Sequence, residues 1–224
     1  MAVACCLMKI EVVENVLKYN KDQANVNREL FKKNNVLVIN LLSSPGAGKT
    51  SLIIETIKRL KQKKNIGVIE GDISSTHDAQ KIKEYIDDVI QINTGGSCHL
   101  NATMVVKAVE KLNLENLDLM FIENVGNLIC PVGFDLGEGF KVVVSSVSEG
   151  DDKPVKYPPV FIKSNAVILN KTDMLESNDF SIDFFREKVN ELNHGAEIIE
   201  VSCKNESGLE KWVKWLADRD TKNS

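Results

Sequence analysis

This sequence predicts an α/β fold: a mostly parallel open sheet with helices on both faces, preceded by a helical extension. Two observations carry the prediction. Short β-branched runs recur at 36–42, 66–70, 88–92, 117–123, 141–147, 166–170 and 197–201, and most lack the alternation of a half-exposed strand, as parallel strands covered on both faces should. Stretches with helical period lie between them, and strand–helix alternation at this spacing marks an open α/β sheet.

In chain order, residues 9–34 read as one or two helices with a weak apolar stripe (Ile10, Val13, Leu17, Leu30, Phe31) that packs on the outside of the fold. Run 36–42 enters a glycine-rich loop, after which Ile53, Ile57 and Leu60 share a helix face. Ala102, Val105, Val106 and Val109 make the next stripe, and Ile182, Phe185, Val189 and Leu192 another. Leu209, Trp212, Val213 and Leu216 make the last, with Ser207 and Glu210 spaced as a capping box. Residues 148–160 hold three of the five prolines and read as a loop. From Asp218 onward the chain is polar and should fray. The divisions are thus a helical extension at 1–34, one domain at 35–217 and a polar tail at 218–224.

Composition removes several functions. With 224 residues and 43% hydrophobic content the chain fills a real core and is not largely disordered. Lys+Arg 28 against Asp+Glu 32 gives a net charge of -4, so no basic field invites nucleic acid. No apolar run approaches the ~20 residues that span a bilayer. Lys9 follows the first apolar residues instead of preceding them, the wrong order for a secretory signal. Five cysteines, odd and sparse, do not make a disulfide framework. A cytoplasmic protein with free thiols, bound to neither nucleic acid nor membrane, is expected.

Run 36–42 leads into Ser43-Ser44-Pro45-Gly46-Ala47-Gly48-Lys49-Thr50, and a helix follows. Strand, loop and helix in that order are the context of a phosphate-binding P-loop, which places the fold among the P-loop NTPases. Gly46, Ala47 and Gly48 turn backbone N–H groups toward phosphate oxygens, and the helix beginning at Lys49, Thr50 and Ser51 points its positive end at the anion. Lys49 supplies charge to the terminal phosphates, and the Thr50 hydroxyl suits Mg²⁺. Ser43 stands where the usual pattern has Gly.

Asn170-Lys171-Thr172-Asp173 closes run 166–170. The Asp173 carboxylate would accept from the N1–H and amino group of guanine, whereas adenine presents an acceptor there. Ser202-Cys203-Lys204, after run 197–201, sits where a loop closes over the base. Together these elements select GTP and GDP; an Asn/Asp turn is the bland alternative for NKTD alone. Between them, Glu123-Asn124-Val125-Gly126 follows a strand, with Glu123 placed to hold Mg²⁺ and Gly126 to approach the γ-phosphate. Asp72 is a second candidate for the magnesium shell or for positioning water, against a helix-capping role for this turn shared with Ser74 or Ser75; Asp78 is a fainter one. Catalytic duty falls to Lys49, Asp72 and Glu123. Asn127 stands where a water-positioning Gln would follow Gly126, so intrinsic hydrolysis should be slow.

Cys98-His99 lies in a Gly-rich loop, and Cys130 a few residues beyond Gly126. Thiolates and imidazole suit Ni²⁺ and Zn²⁺, and three ligands per chain would leave a coordination position for exchange or for a second subunit. On spacing alone, buried packing is the alternative for these thiols. What favours a metal is that Cys130 is tethered to the segment that senses the γ-phosphate. Cys203 reads as a packing residue, His77 and His194 as surface or helix residues, and Cys5-Cys6 as part of a disordered end.

SSPGAGKT, GGSCHL, ENVGNLICP, SEGDDKP and NKTD, in this order, resemble the HypB family of GTPases that serve nickel insertion into nickel–iron hydrogenase. The resemblance covers about residue 9 to about residue 217. It implies a GTPase that dimerises when GTP is bound, with Cys98, His99 and Cys130 holding nickel or zinc near the dimer interface. It also implies a HypA-like nickel/zinc partner that passes nickel toward the hydrogenase large-subunit precursor. The sister GTPases serving urease or cobalamin-dependent mutases are the near alternative, and a P-loop small-molecule kinase the distant one. Some members carry an N-terminal CxxCGC motif or a His-rich tract; neither stands here. Lys153 or Lys156, in the proline-rich segment, would reach phosphates across a dimer or simply be solvated.

Overall fold

The computed structural model describes residues 11–220. Helix α1 (Glu11–Lys33) leads to strand β1 (Leu37–Ser43), after which come α2 (Lys49–Leu60), β2 (Ile66–Asp72), α3 (His77–Lys83), β3 (Val89–Asn93), α4 (Ala102–Val109) and β4 (Leu119–Glu123). The second half holds β5 (Phe140–Ser146), α5 (Lys153–Lys156), α6 (Pro158–Ile162), β6 (Ala166–Asn170), α7 (Ile182–Leu192), β7 (Glu197–Glu200) and α8 (Leu209–Ala217). All seven expected strands are present. They form one sheet in the order β3-β2-β4-β1-β5-β6-β7, with every neighbouring pair parallel. β1 is central, and all strands end on the same edge, where an open α/β sheet binds its ligands.

The near-continuous apolar runs follow from alternation along a strand with both faces covered. Ile39, Leu41, Leu119, Phe121, Val142 and Ile168 point to a core shared with α2 and α8. Their neighbours Val38, Met120 and Ile122 point the other way, to α4 and Phe31 of α1, while Val143, Val167 and Leu169 meet α7. Trp212 of α8 is fully buried and donates its Nε1–H to Thr56 Oγ1 of α2 at 2.9 Å. Among the described residues no helix is long and apolar enough to cross a membrane.

The α1 stripe is corrected. Leu17 is exposed, and the buried face is Asn20, Ala24, Asn27 and Phe31, with Leu30 half-buried beside it; Ile10 and the side chain of Val13 lie outside the described residues. The asparagines are buried because they satisfy backbone. Asn20 accepts from Ala102 N (2.9 Å) and donates to Asp135 O (2.8 Å), and Asn27 donates to Ala102 O and Leu136 O. Each such bond contributes about 1 kcal/mol net, and together they strap α1 to the start of α4.

Three further expectations give way. Residues 148–160 are not loop throughout, because α5 and α6 each begin with Pro in the first turn, where a missing N–H costs nothing. α8 is capped by Gly208 and not by a Ser207–Glu210 box. Gly208 has φ 72°, and a Cβ there would lie 2.0 Å from the Glu200 carbonyl oxygen. The tail does not fray at Asp218, since Asp220 is buried and paired with Lys64.

Candidate functional site

The loop from β1 to α2 places its functional groups through two left-handed glycines, Gly46 (φ 80°) and Gly48 (φ 99°). A side chain at Gly48 would also collide with Asn170, whose Nδ2 lies 2.3 Å from the Cβ position. The loop rims a cavity of about 490 Å³ whose walls include Lys49, Thr50, Glu70, Asp72, Asp78 and Glu123. Lys49 is buried; its Nζ donates to Ser43 Oγ at 2.9 Å and lies 4.0 Å from Glu123 Oε1. Ser43, the departure from the usual pattern, therefore seats the lysine.

Thr50 Oγ1 donates to Glu123 Oε1 at 2.8 Å, while Glu123 Oε2 is buried without a hydrogen-bond partner. Burial pushes the Glu123 carboxyl above its ordinary range, with the Lys49 charge pulling the other way. A hydroxyl and an unpaired carboxylate oxygen, side by side in a cavity beneath a P-loop, fit a hard cation such as Mg²⁺. Asp72 lines the same cavity, and its Oδ1 also accepts from the backbone of Ser74 (2.8 Å) and Ser75 (2.5 Å). The helix-capping role is not seen, because α3 has Thr76 at its N-cap and no side-chain cap bond; Asp72 closes the turn that precedes it. Asp78, at the start of α3, pairs with Lys81 at 2.9 Å.

Glu70 is the residue that sequence reasoning missed. It sits on β2 in register with Glu123 of β4, is 3% exposed, and its Oε2 has no hydrogen-bond partner. Burial, then the charges of Glu123, Asp72 and Asp78, push its carboxyl up to about 8. The available signal was a lone acid ending the apolar run Ile66-Gly67-Val68-Ile69.

A second cavity, about 610 Å³, adjoins the first across Gly48, Ser51 and Lys171 and is walled by Asp173, Cys203 and Lys204. Asn170 donates to Ala47 O at 3.0 Å and accepts from Cys203 N at 3.4 Å, tying P-loop to far loop. Lys171, at φ 60°, reaches Gly46 O at 2.7 Å. Asp173 Oδ1 accepts from Ser202 Oγ, and Lys204 Nζ lies 3.9 Å from its other oxygen. Asn170 and Lys171 therefore brace the phosphate loop, and Ser202 orients the carboxylate that faces the second cavity. Burial raises the Cys203 thiol to about 11, which suits a packing residue.

The structure brings Cys98 and Cys130 together. The Cys130 thiol is near enough to raise the Cys98 thiol above its ordinary value. His99 lies alongside, its Nδ1 3.8 Å from Cys98 Sγ, its ring stacked on Phe134 with centroids 3.8 Å apart. Burial holds that imidazole below its usual range, toward the neutral form that ligates metals. Among the described residues no group of three or more His, Cys, Asp or Glu side chains is assembled around a metal position; the pair of thiols is formed and the imidazole stands beside it. Asn127 accepts from Ile129 N (2.8 Å) and Cys130 N (3.4 Å), so it shapes the thiol segment. Lys153 and Lys156 pair with Glu149 and Asp152 of their own segment. Cys5 and Cys6 lie outside the described residues.

Residues 37–200 match the CobW/HypB/UreG nucleotide-binding domain family. The hydrogenase maturation factor HypB of Rhizobium leguminosarum bv. viciae is 47% identical over 207 residues, covering 92% of this chain and 69% of that protein. The chain belongs to the HypB family. A Helicobacter pylori relative, named a hydrogenase/urease maturation factor HypB, is 37% identical over 96% of this chain and 89% of its own. The crystal structure of HypB from Helicobacter pylori in complex with nickel superposes with a TM-score of 0.86 at 37% identity, over 92% of this chain and 96% of that one. The HypB match extends beyond the domain shared with CobW and UreG, whose span stops before Ser202 and Lys204.

Proposed function

We propose that this chain is a Mg²⁺-dependent GTP hydrolase that ties the cleavage of GTP to GDP and phosphate to nickel delivery during maturation of nickel–iron hydrogenase. Residues 35–217 form the GTPase domain with its metal site, behind the extension at 1–34. Asp173, Asn170, Lys171, Ser202 and Lys204 serve guanine recognition. Gly46 to Ser51 hold the phosphates, with Lys49 countering charge as it develops on them. Thr50, Glu123 and Asp72 would hold Mg²⁺, which when bound offsets phosphate charge. Asn127 is spent on the backbone of the thiol segment, so water is left without a positioning amide and hydrolysis by the isolated subunit is slow.

Nickel is the cargo, with zinc as the competing ion, held by Cys98, His99 and Cys130. A GTP-bound homodimer completes the ligand set, and a HypA-like protein exchanges metal with it in the cytoplasm on the way to the hydrogenase large-subunit precursor. The observation that carries this proposal is one continuous strip. It begins at Glu123, bonded to the P-loop threonine, and ends at Cys130, lying against Cys98. Service to urease is a second reading, favoured by the name of the Helicobacter relative, and differs only in the client. A small-molecule kinase would leave Asp173 and its Ser202 partner without work.

The nucleotide half is tested by thermal shift and turnover. GDP should raise the melting temperature where ADP does not, and GTP should be hydrolysed over multiple turnovers. Equal stabilisation by ADP, or absence of turnover, would remove the GTPase assignment. The cargo half is tested by Cys98→Ala and Cys130→Ala, which should lower nickel stoichiometry and leave GDP affinity intact. Full nickel binding by both variants would remove the metal assignment.

A further inference from the structure

Asn124 follows Glu123 directly, is 1% exposed, and has no part in the roles assigned above. Its carboxamide is where three segments meet. Oδ1 accepts from Leu100 N at 3.2 Å and from Val125 N at 3.0 Å, while Nδ2 donates to Asn40 Oδ1 of β1 at 3.3 Å. Leu100 comes immediately after Cys98-His99. Val125 comes immediately before Gly126, which packs so closely on the P-loop that a Cβ there would lie 2.9 Å from Pro45 Cγ. One oxygen therefore holds an N–H of the thiol loop and an N–H of the strip beside the phosphates.

The amide is itself anchored. Asn40 Nδ2 donates to Glu138 Oε1 at 3.1 Å, and Glu138 Oε2 accepts from Leu136 N at 2.7 Å. With Nδ2 anchored to the central strand, the amide cannot follow both of its N–H partners when they move apart. Leaving a buried N–H unpaired is costly, and that cost makes the two segments move together. Shared acceptors of this kind give coupling a physical carrier, beyond mere position between two sites.

We propose that Asn124 is the positioning residue that couples nucleotide to cargo: displacement of Val125–Gly126 by a γ-phosphate alters the bond to Leu100 and so shifts Cys98-His99 relative to Cys130. This rests on the functional proposal above, in which the nucleotide sets nickel affinity. The test titrates nickel(II) against a chromophoric chelator, using full-length protein loaded with Mg²⁺ and either GDP or a non-hydrolysable GTP analogue. Wild type should show affinities differing about fivefold or more between the two loadings. Asn124→Ala and Asn124→Ser, neither of which reaches Leu100, should bring that ratio within about twofold while GDP affinity and nickel stoichiometry persist. Variants that keep the wild-type ratio overturn the role of Asn124 and leave the functional proposal standing. A wild type without any ratio overturns the functional proposal, and this one with it. Should neither variant fold, the Leu100 amide of nickel-free wild type decides. Exchanging GDP for the analogue should change its hydrogen-exchange rate about tenfold, and an unchanged rate overturns the proposal.

Discussion

Glu70 and Glu123 face each other across two strands at the floor of the phosphate cavity, each with an oxygen that lacks a hydrogen-bond partner. In the fold Glu70 keeps its proton up to about 8, whereas its ordinary value is 4.5. Between those values the unfolded chain binds fewer protons than the folded one. The contribution is complete below the lower value and is lost as pH rises through the higher. The melting temperature of nucleotide-free Glu70→Gln should therefore vary less than that of wild type between about pH 5 and about pH 8. Parallel curves would show that Glu70 is not held protonated. Gly48 gives a second residue-level test. Its φ of 99° and the nearby Asn170 amide both exclude a side chain, so Gly48→Ala should cost about 1–3 kcal/mol and lose the GDP-induced rise in melting temperature. Lys49, Thr50 and Asp173 were legible because a contiguous motif carries them. Glu70 was not, because its importance comes from a neighbour fifty-odd positions away that only strand order supplies.

At the scale of elements, the seven strands were legible because consecutive residues feed two cores, which writes an unbroken apolar run into the sequence. Helices that satisfy backbone with side-chain amides write no such signal, and so α1 hid its buried face behind Asn20 and Asn27. The short helices α5 and α6 were hidden for another reason: proline at a helix start looks the same as proline in a loop. Helix α8, by contrast, announced most of its stripe in Leu209, Trp212 and Leu216, although Val213 is only half-buried and the buried Trp215 went unread; Trp212 locks the helix to α2 through Thr56. Trp212→Phe should cost about 2 kcal/mol, combining a lost buried hydrogen bond with a smaller ring. Urea unfolding checks it; a midpoint equal to wild type would mean that the α2–α8 contact does not depend on that bond.

At the scale of the whole molecule, the fold sets the two cavities and the thiol pair along the C-terminal edge of one sheet and joins them through short connections. The spacing of Cys98 and Cys130 in the sequence could not reveal their meeting, because it arises from β3 and β4, the strands that lead to them, flanking β2. Sequence order did suggest that Cys130 would respond to the nucleotide, since it shares a strip with Glu123. The most direct measurement is a pair of nickel titrations on one preparation, loaded first with GDP and then with a non-hydrolysable GTP analogue. A nickel affinity that changes about tenfold between the loadings is the predicted result. Superimposable isotherms would contradict it, leaving a nucleotide site and a thiol pair that share a fold without sharing a free energy.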